Sequence, residues 1–370
     1  MLTKTMRVAR LHELGAPLQL DTLPVPAPGP TDVLVSVKAC NLVPNFKNVI
    51  TYWPQWHPEM PLPELPASFG LDAAGVVAEV GSQVLSIRPG DRVYAMAGMG
   101  CGSCRSCRSG DIISCRSFTY RGYFGRGPLA RKIFEHYPYG GLSEYLIAPQ
   151  ALLVKLPDKV SFEDASRFGY LGTSYSALRK AGVDPGRSVL INAIGGTLGL
   201  GAAMLALAMG AARILGTGRR QSLLDRVKAL APGRIEILSV LDASRSIKDW
   251  ALGLTDGEGV DAVIDALPPQ SPPGATMAAL RALRVGGRAV LPGGMTDALI
   301  LDPYWLTDTN AAIMGSRWFT TDEGEDMAQM AAAGTLDLSP LEHRRFPLER
   351  VNDAIAALES GGFSNFVVIP

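Results

Sequence analysis

Val33, Val35 and Val37 fall on one side of an extended chain and Leu34, Ser36 and Lys38 on the other, the two-residue period of a half-buried strand. Short apolar runs at 74–80 and 91–95, set off by Gly81 and by Pro89-Gly90, read as further strands. Prolines crowd 54–66 and predict a loop there, because proline offers no N–H to a helix or a ladder. The first third is therefore β-rich. From about residue 171 the rhythm changes. An apolar strand (188–193), a helix of small residues (197–209), a second strand (213–217) and another helix (220–230) follow in turn, with strands at 235–240, 260–266, 287–292 and 311–315. Strands alternating with helices predict a parallel, doubly wound sheet. The tail adds a helix near 351–358 and a last strand at 366–369.

A chain of 370 residues holds two ordinary domains. Lys plus Arg and Asp plus Glu are equal at 35 each, so no net field draws the protein to nucleic acid or an anionic membrane. The most apolar region, 195–215, is broken by Gly196, Gly199, Gly201 and Gly210 and closes on Arg213, which reads as a buried strand, turn and helix rather than a membrane span. The beginning carries Lys4, Arg7 and Arg10 and no long apolar run, so no export signal and a cytoplasmic location are expected.

Four of the five cysteines, Cys101, Cys104, Cys107 and Cys115, are spaced C-x2-C-x2-C-x7-C. Two-residue gaps let thiolates converge on one tetrahedral centre, so the cluster reads as a closed structural zinc site. Disulfides are the competing reading in an oxidising compartment, and the lack of an export signal favours zinc.

The run from Val189 through Ile194, Gly195, Gly196, Thr197, Leu198 and Gly199 passes from strand through a tight turn into a helix. Gly196 lets backbone approach a pyrophosphate, Gly199 lets helix and strand pack closely, and the exposed N–H groups at the helix start attract phosphates. Ile194 stands where the dinucleotide fingerprint has its first glycine. The second strand ends Gly218-Arg219-Arg220, without the carboxylate that would accept a ribose 2′-hydroxyl. Two guanidiniums pair with a 2′-phosphate instead, so NADP(H) is expected over NAD(H).

Together with the run beginning at Gly70, Pro89-Gly90-Asp91-Arg92-Val93, Gly140-Gly141-Leu142-Ser143-Glu144-Tyr145, Leu283 to Arg288 and Phe346-Pro347-Leu348-Glu349, these motifs make the chain resemble the medium-chain dehydrogenase/reductase superfamily, in its zinc-containing alcohol dehydrogenase branch. The resemblance covers almost the full length. It implies an α/β protein with a GroES-like β-barrel catalytic domain (1–170, zinc lobe near 97–117), a Rossmann domain (171–317) and a C-terminal return (318–370), with the active site between the domains. It also implies a nicotinamide contact at Thr173, with Pro292 and Gly293 ending the strand beneath it, a further cofactor contact at Leu267, and a homodimer or homotetramer acting on a small molecule. The family's catalytic zinc ligands do not carry over: Val43, Leu71 and Gly169 occupy the three positions, and none has a ligand atom. One structural zinc per chain and no catalytic zinc are expected, since Cys40 points away from Val43 on an alternating strand and His57 with Asp72 makes no tetrahedral set.

Zinc stabilises an alkoxide as a Lewis acid; without it hydrogen-bond donors must meet the developing charge, and a delocalised enolate asks less of them than an alkoxide. The leading expectation is therefore NADPH-dependent reduction of an activated C=C in an enone, enal or quinone. Carbonyl reduction or alcohol oxidation using protein donors is a second reading, and a non-catalytic NADPH-binding module a third. By the resemblance, Asn45 stands where the family has a hydroxyl against the substrate oxygen, with a plain helix cap as its alternative. Tyr52 is a candidate acid in the loop expected to line the pocket, beside Trp53. Asp72 matches a glutamate behind the family's zinc, and Tyr170 is expected to be packed. The basic, aromatic segment 116–139 is either a lid over the substrate or a surface loop or subunit contact.

Overall fold

The computed structural model describes residues 4–242, 244–294, 296–358 and 362–370. Its N-terminal part is built on the strand Asp32–Asn41, whose buried valines face the barrel core. That strand pairs antiparallel with Asp72–Val80 on one side and with Tyr145–Pro149 and Ser364–Ile369 elsewhere along its length. The last of these strands brings the C-terminus home: Glu342–Pro347 runs parallel to it in the same sheet. Both ends of the chain therefore belong to one β-rich body.

The second body is a six-stranded parallel sheet in the order Ile235–Ser239, Arg213–Gly218, Ser188–Asn192, Val260–Asp265, Leu283–Leu291, Ala312–Gly315. The chain leaves the central strand Ser188–Asn192 in both directions, so a crevice opens beyond its C-terminal end. The long helix Phe168–Ala181 joins the two bodies, and the expected domain boundary at 170/171 falls inside it. Among the described residues no helix is long and apolar enough to cross a membrane.

Two expectations from the sequence give way. The proline loop begins later than predicted, because Phe46–Trp56 is a helix with Pro54 inside it. Proline at 54 withholds an N–H from the carbonyl of Ile50, and Gly15 N–H fills that vacancy at 3.0 Å. Tyr52 and Trp53 are thus helical, not loop residues. The segment 116–139 is not a plain surface loop: Phe118, Tyr120, Tyr123 and Phe134 are buried in the core, while Arg116, Arg126, Arg131 and Lys132 are exposed. Arg121 is buried with them, and its guanidinium donates to the carbonyls of Ala95 (3.0 Å) and Ile147 (3.2 Å).

Candidate active site and metal centre

The four cysteines meet in a small lobe closed by the antiparallel pair Gly98–Met99 and Thr119–Tyr120. Gly102 and Gly110 turn the chain at φ values of 72° and 85°, which suit glycine. The four sulfurs lie within 4.8 Å of one another, and Cys104 Sγ and Cys115 Sγ are 3.8 Å apart. Tetrahedral zinc with bonds of about 2.3 Å sets its sulfurs about 3.8 Å apart, so the set fits zinc. Backbone N–H groups of Ser103 and Cys104 pull the Cys101 thiol down to about 6, toward the thiolate a metal needs. A Cβ at Gly100 would come within 2.7 Å of Cys107 Sγ, so the lobe closes around the sulfurs only with glycine there. The four cysteines carry no disulfide.

The sheet brings the cofactor candidates to one edge. Gly196 caps the helix Thr197–Ala208, and its first residues, Thr197 and Leu198, are half-buried at the mouth of the crevice. A Cβ at Gly199 would lie 2.2 Å from the carbonyl oxygen of Ala193, which is why the helix can start so close to the strand. Ala193 itself adopts φ 61° in that turn. Gly218 ends the neighbouring strand, with Arg219 and Arg220 exposed beyond it. Leu267 and Gly293 meet where the next two strands end: Gly293 has room for no side chain, since a Cβ would come within 2.5 Å of Leu267 O, and Pro292 precedes it. Beneath this edge Thr217 donates to Asn192 (2.6 Å), while Asn192 (3.0 Å) and Thr276 (2.5 Å) donate to Asp265, locking three strand ends together. Thr173, on the joining helix, spends its hydroxyl proton on Gly169 O at 2.8 Å. Open helix-start amides, a turn that admits only glycine at 199, and two arginines at the ribose end fit a phosphorylated dinucleotide.

In the β-rich body, Val43 and Leu71 are buried among apolar side chains. Gly169 is more telling. A Cβ there would sit 2.1 Å from Asp72 Oδ1, so the Asp72 carboxyl already fills the place a ligating side chain would need. Asp72 is fully buried and accepts a hydrogen bond from Tyr94 at 2.6 Å. Burial pushes its carboxyl up to about 7, opposed by the Tyr94 hydroxyl, the Arg167 charge and the Gly169 N–H. Arg167 is also buried, which lowers it to about 10, and it donates to Gly362 O (2.8 Å) and Ser364 O (3.4 Å). Its charge thus links Asp72 to the C-terminal return, where Gly362 N–H donates to Gly195 O of the glycine turn at 3.0 Å. Cys40 packs against Gly70 and Gly141, and burial, with the nearby Asp72 charge, raises its thiol.

Asn45 stands at the start of the helix Phe46–Trp56 and is exposed, but its side chain makes no cap hydrogen bond. It accepts from the buried Tyr123 hydroxyl at 2.6 Å. Tyr170, expected to be packed, is only half-buried, lies 5.5 Å under the Arg167 guanidinium, and has no hydroxyl hydrogen bond among the described residues. Tyr52 is 45% exposed and stacks on Trp56 at the surface, outside this group. Trp53 is sandwiched between Phe124 (4.1 Å) and His57 (4.3 Å). His57 lines a separate cavity of about 670 Å³ with Met60, Arg131 and Phe134; Asn45, Tyr123, Asp72 and Thr173 take no part in it. Sequence reading missed Tyr94, Tyr123 and Arg167. For Tyr123 the aromatic richness of 116–139 is the one trace in the sequence; Tyr94 and Arg167 leave none.

Compared with known proteins, the chain matches two family models, "Alcohol dehydrogenase GroES-like domain" over residues 29–158 and "Zinc-binding dehydrogenase" over residues 197–333. It is 29% identical over 268 residues to a quinone oxidoreductase-like protein 2 homolog of Nematostella vectensis, covering 71% of this chain and 60% of that protein. It is 28% identical to an NAD-dependent alcohol dehydrogenase of Saccharolobus solfataricus, over 96% of this chain and 97% of that one. A crystal structure described as a zinc-binding dehydrogenase from Sinorhizobium meliloti, bound to NADP, superposes with a TM-score of 0.82 at 23% identity, covering 99% of this chain and 100% of that one.

Proposed function

Because the chain belongs to the medium-chain dehydrogenase/reductase superfamily, in its zinc-containing alcohol dehydrogenase-like branch, and is an oxidoreductase of that kind, we propose that it reduces an activated C=C in an enone, enal or quinone, using NADPH and no catalytic zinc. The observation that carries this reading is the Asp72 carboxyl standing where a side chain at Gly169 would have to go, with Val43 and Leu71 at the other two positions. A metal-free site must stabilise charge with hydrogen-bond donors, and a delocalised enolate makes the smaller demand.

When bound, NADPH supplies the hydride. Gly196, Thr197, Leu198 and Gly199 would hold its pyrophosphate, Gly218, Arg219 and Arg220 its phosphorylated ribose, and Thr173, Leu267, Pro292 and Gly293 its nicotinamide. Cys101, Cys104, Cys107 and Cys115 would hold one zinc, which braces the lobe. Asn45 offers an amide to the substrate oxygen; Asp72 and Arg167 position the backbone around it. Tyr52, at the surface, is not retained as the acid. The exposed amide of Asn45 also suits a plain carbonyl, so carbonyl reduction is the second reading. A homodimer or homotetramer is part of this proposal, and light scattering of the purified chain decides it.

The test is NADPH consumption with enones, enals and quinones beside saturated aldehydes, and NADP+ reduction with alcohols. Turnover of the conjugated substrates is expected. Turnover of aldehydes or alcohols alone overturns the C=C preference, and tight NADPH binding with no consumption by any electrophile makes the chain a binding module.

A further inference from the structure

The geometry points to Tyr123 as the positioning residue that fixes the Asn45 amide as a hydrogen-bond donor to the oxyanion formed on the substrate, a role that rests on the oxidoreductase reading above. Tyr123 is 4% exposed, and its ring is held between Phe46 (6.5 Å, stacked) and Phe124 (4.9 Å). The phenol can turn only its proton. Asn45 Oδ1, at 2.6 Å, is the one acceptor recorded for it among the described residues. A buried hydroxyl left without an acceptor is destabilising, so the proton goes to Asn45. That choice orients the amide: the oxygen faces Tyr123, and the NH2 faces away.

Asn45 is exposed, stands at the helix start, and caps nothing with its side chain. Its two N–H donors have no partner among the described residues. An amide neither takes up nor gives up a proton near neutral pH. The group is therefore suited to an oxygen that gains negative charge, and unsuited to drawing the proton from an alcohol. In the reduction, NADPH, when bound, would supply the hydride that forms a C–H bond at the β-carbon. The C=C electron pair shifts toward the carbonyl, which becomes an enolate oxygen in contact with the amide. A proton from water then bonds to the α-carbon, leaving NADP+ and the saturated carbonyl compound.

The test uses the whole enzyme and two readouts. In steady-state kinetics with an enone, Asn45→Ala is expected to lower kcat about 100-fold. Tyr123→Phe is expected to lower it about tenfold, with KM and NADPH affinity held within about twofold, as loss of one orienting hydrogen bond predicts. Asn45→Asp recovers rate as pH falls through the carboxylate range, because only the protonated acid offers a donor. The second readout needs no turnover: para-nitrophenol, whose anion spreads its charge as an enolate does, is titrated against the NADP+ complex. Wild type is expected to bind it as the coloured anion at a pH at least one unit below its free transition, and both Tyr123→Phe and Asn45→Ala to lose that shift. If wild type reduces aldehydes but not enones, the C=C reading fails while the same kcat losses on aldehydes still support Tyr123. Dye bound neutral by wild type, or bound as the anion equally by all three proteins, overturns the proposal.

Discussion

Around Gly169, single atoms decide the chemistry. A glycine there makes room for the Asp72 carboxyl, and a Cβ would come within 2.1 Å of it. Asp72 keeps a proton longer in the fold than in the unfolded chain, because burial lifts it from 3.8 to about 7. Between those values the native state binds more protons, so this stabilisation is complete below about pH 4 and disappears as pH rises through 7. Asp72→Asn keeps an acceptor for Tyr94 and removes the titration. Urea unfolding of wild type is therefore expected to lose stability from pH 4 to 7 relative to Asp72→Asn, by on the order of a few kcal/mol. Parallel curves for the two proteins would show that Asp72 is not the group responsible. The three residues without ligand atoms were plain in the sequence. That Asp72 fills the gap, and that Tyr94 and Arg167 support it, was not, since they lie 22 and 95 positions away along the chain.

Elements with a strong local signal were legible: the glycine turn and its helix Thr197–Ala208 fall within a residue of the expected span. Elements whose local chemistry is overruled from afar were not. Pro54 argues for a loop, yet the helix Phe46–Trp56 runs through it because Gly15 supplies the missing donor. The four-cysteine lobe belongs with the legible group, since its four sulfurs are close in sequence. The purified chain is expected to carry about one zinc by elemental analysis. Gly100→Ala, whose methyl would press on Cys107 Sγ at 2.7 Å, is expected to lose that zinc to a chelator several times faster than wild type. Chelated protein is expected to be cut by protease within 96–118 first. Unchanged zinc retention in Gly100→Ala would mean the lobe shifts to accept the methyl.

At the scale of the molecule, the return of the C-terminal strand Ser364–Ile369 to the first body sets Gly362 against the glycine turn and brings Gly362 and Ser364 to the Arg167 guanidinium. The crevice therefore has walls from distant parts of one chain. In the function proposed above, Arg219 and Arg220 select the cofactor there. Replacing both with alanine is expected to raise KM for NADPH tenfold or more and leave that for NADH within about twofold, since charge-assisted hydrogen bonds to a 2′-phosphate are each worth about 1.5–3 kcal/mol. An equal rise for both cofactors would place the arginines elsewhere than the 2′-phosphate.

The order of strands and helices, the glycine turn, the sulfur cluster and the missing ligand atoms were set by the sequence alone, because each depends on residues near one another along the chain or on a side chain's own chemistry. The buried Asp72–Tyr94–Arg167 group, the Tyr123–Asn45 hydrogen bond and the burial of the aromatic segment were decided only by tertiary structure. Burial and hydrogen-bond partnership depend on which remote surfaces close over a residue, and no local pattern records that.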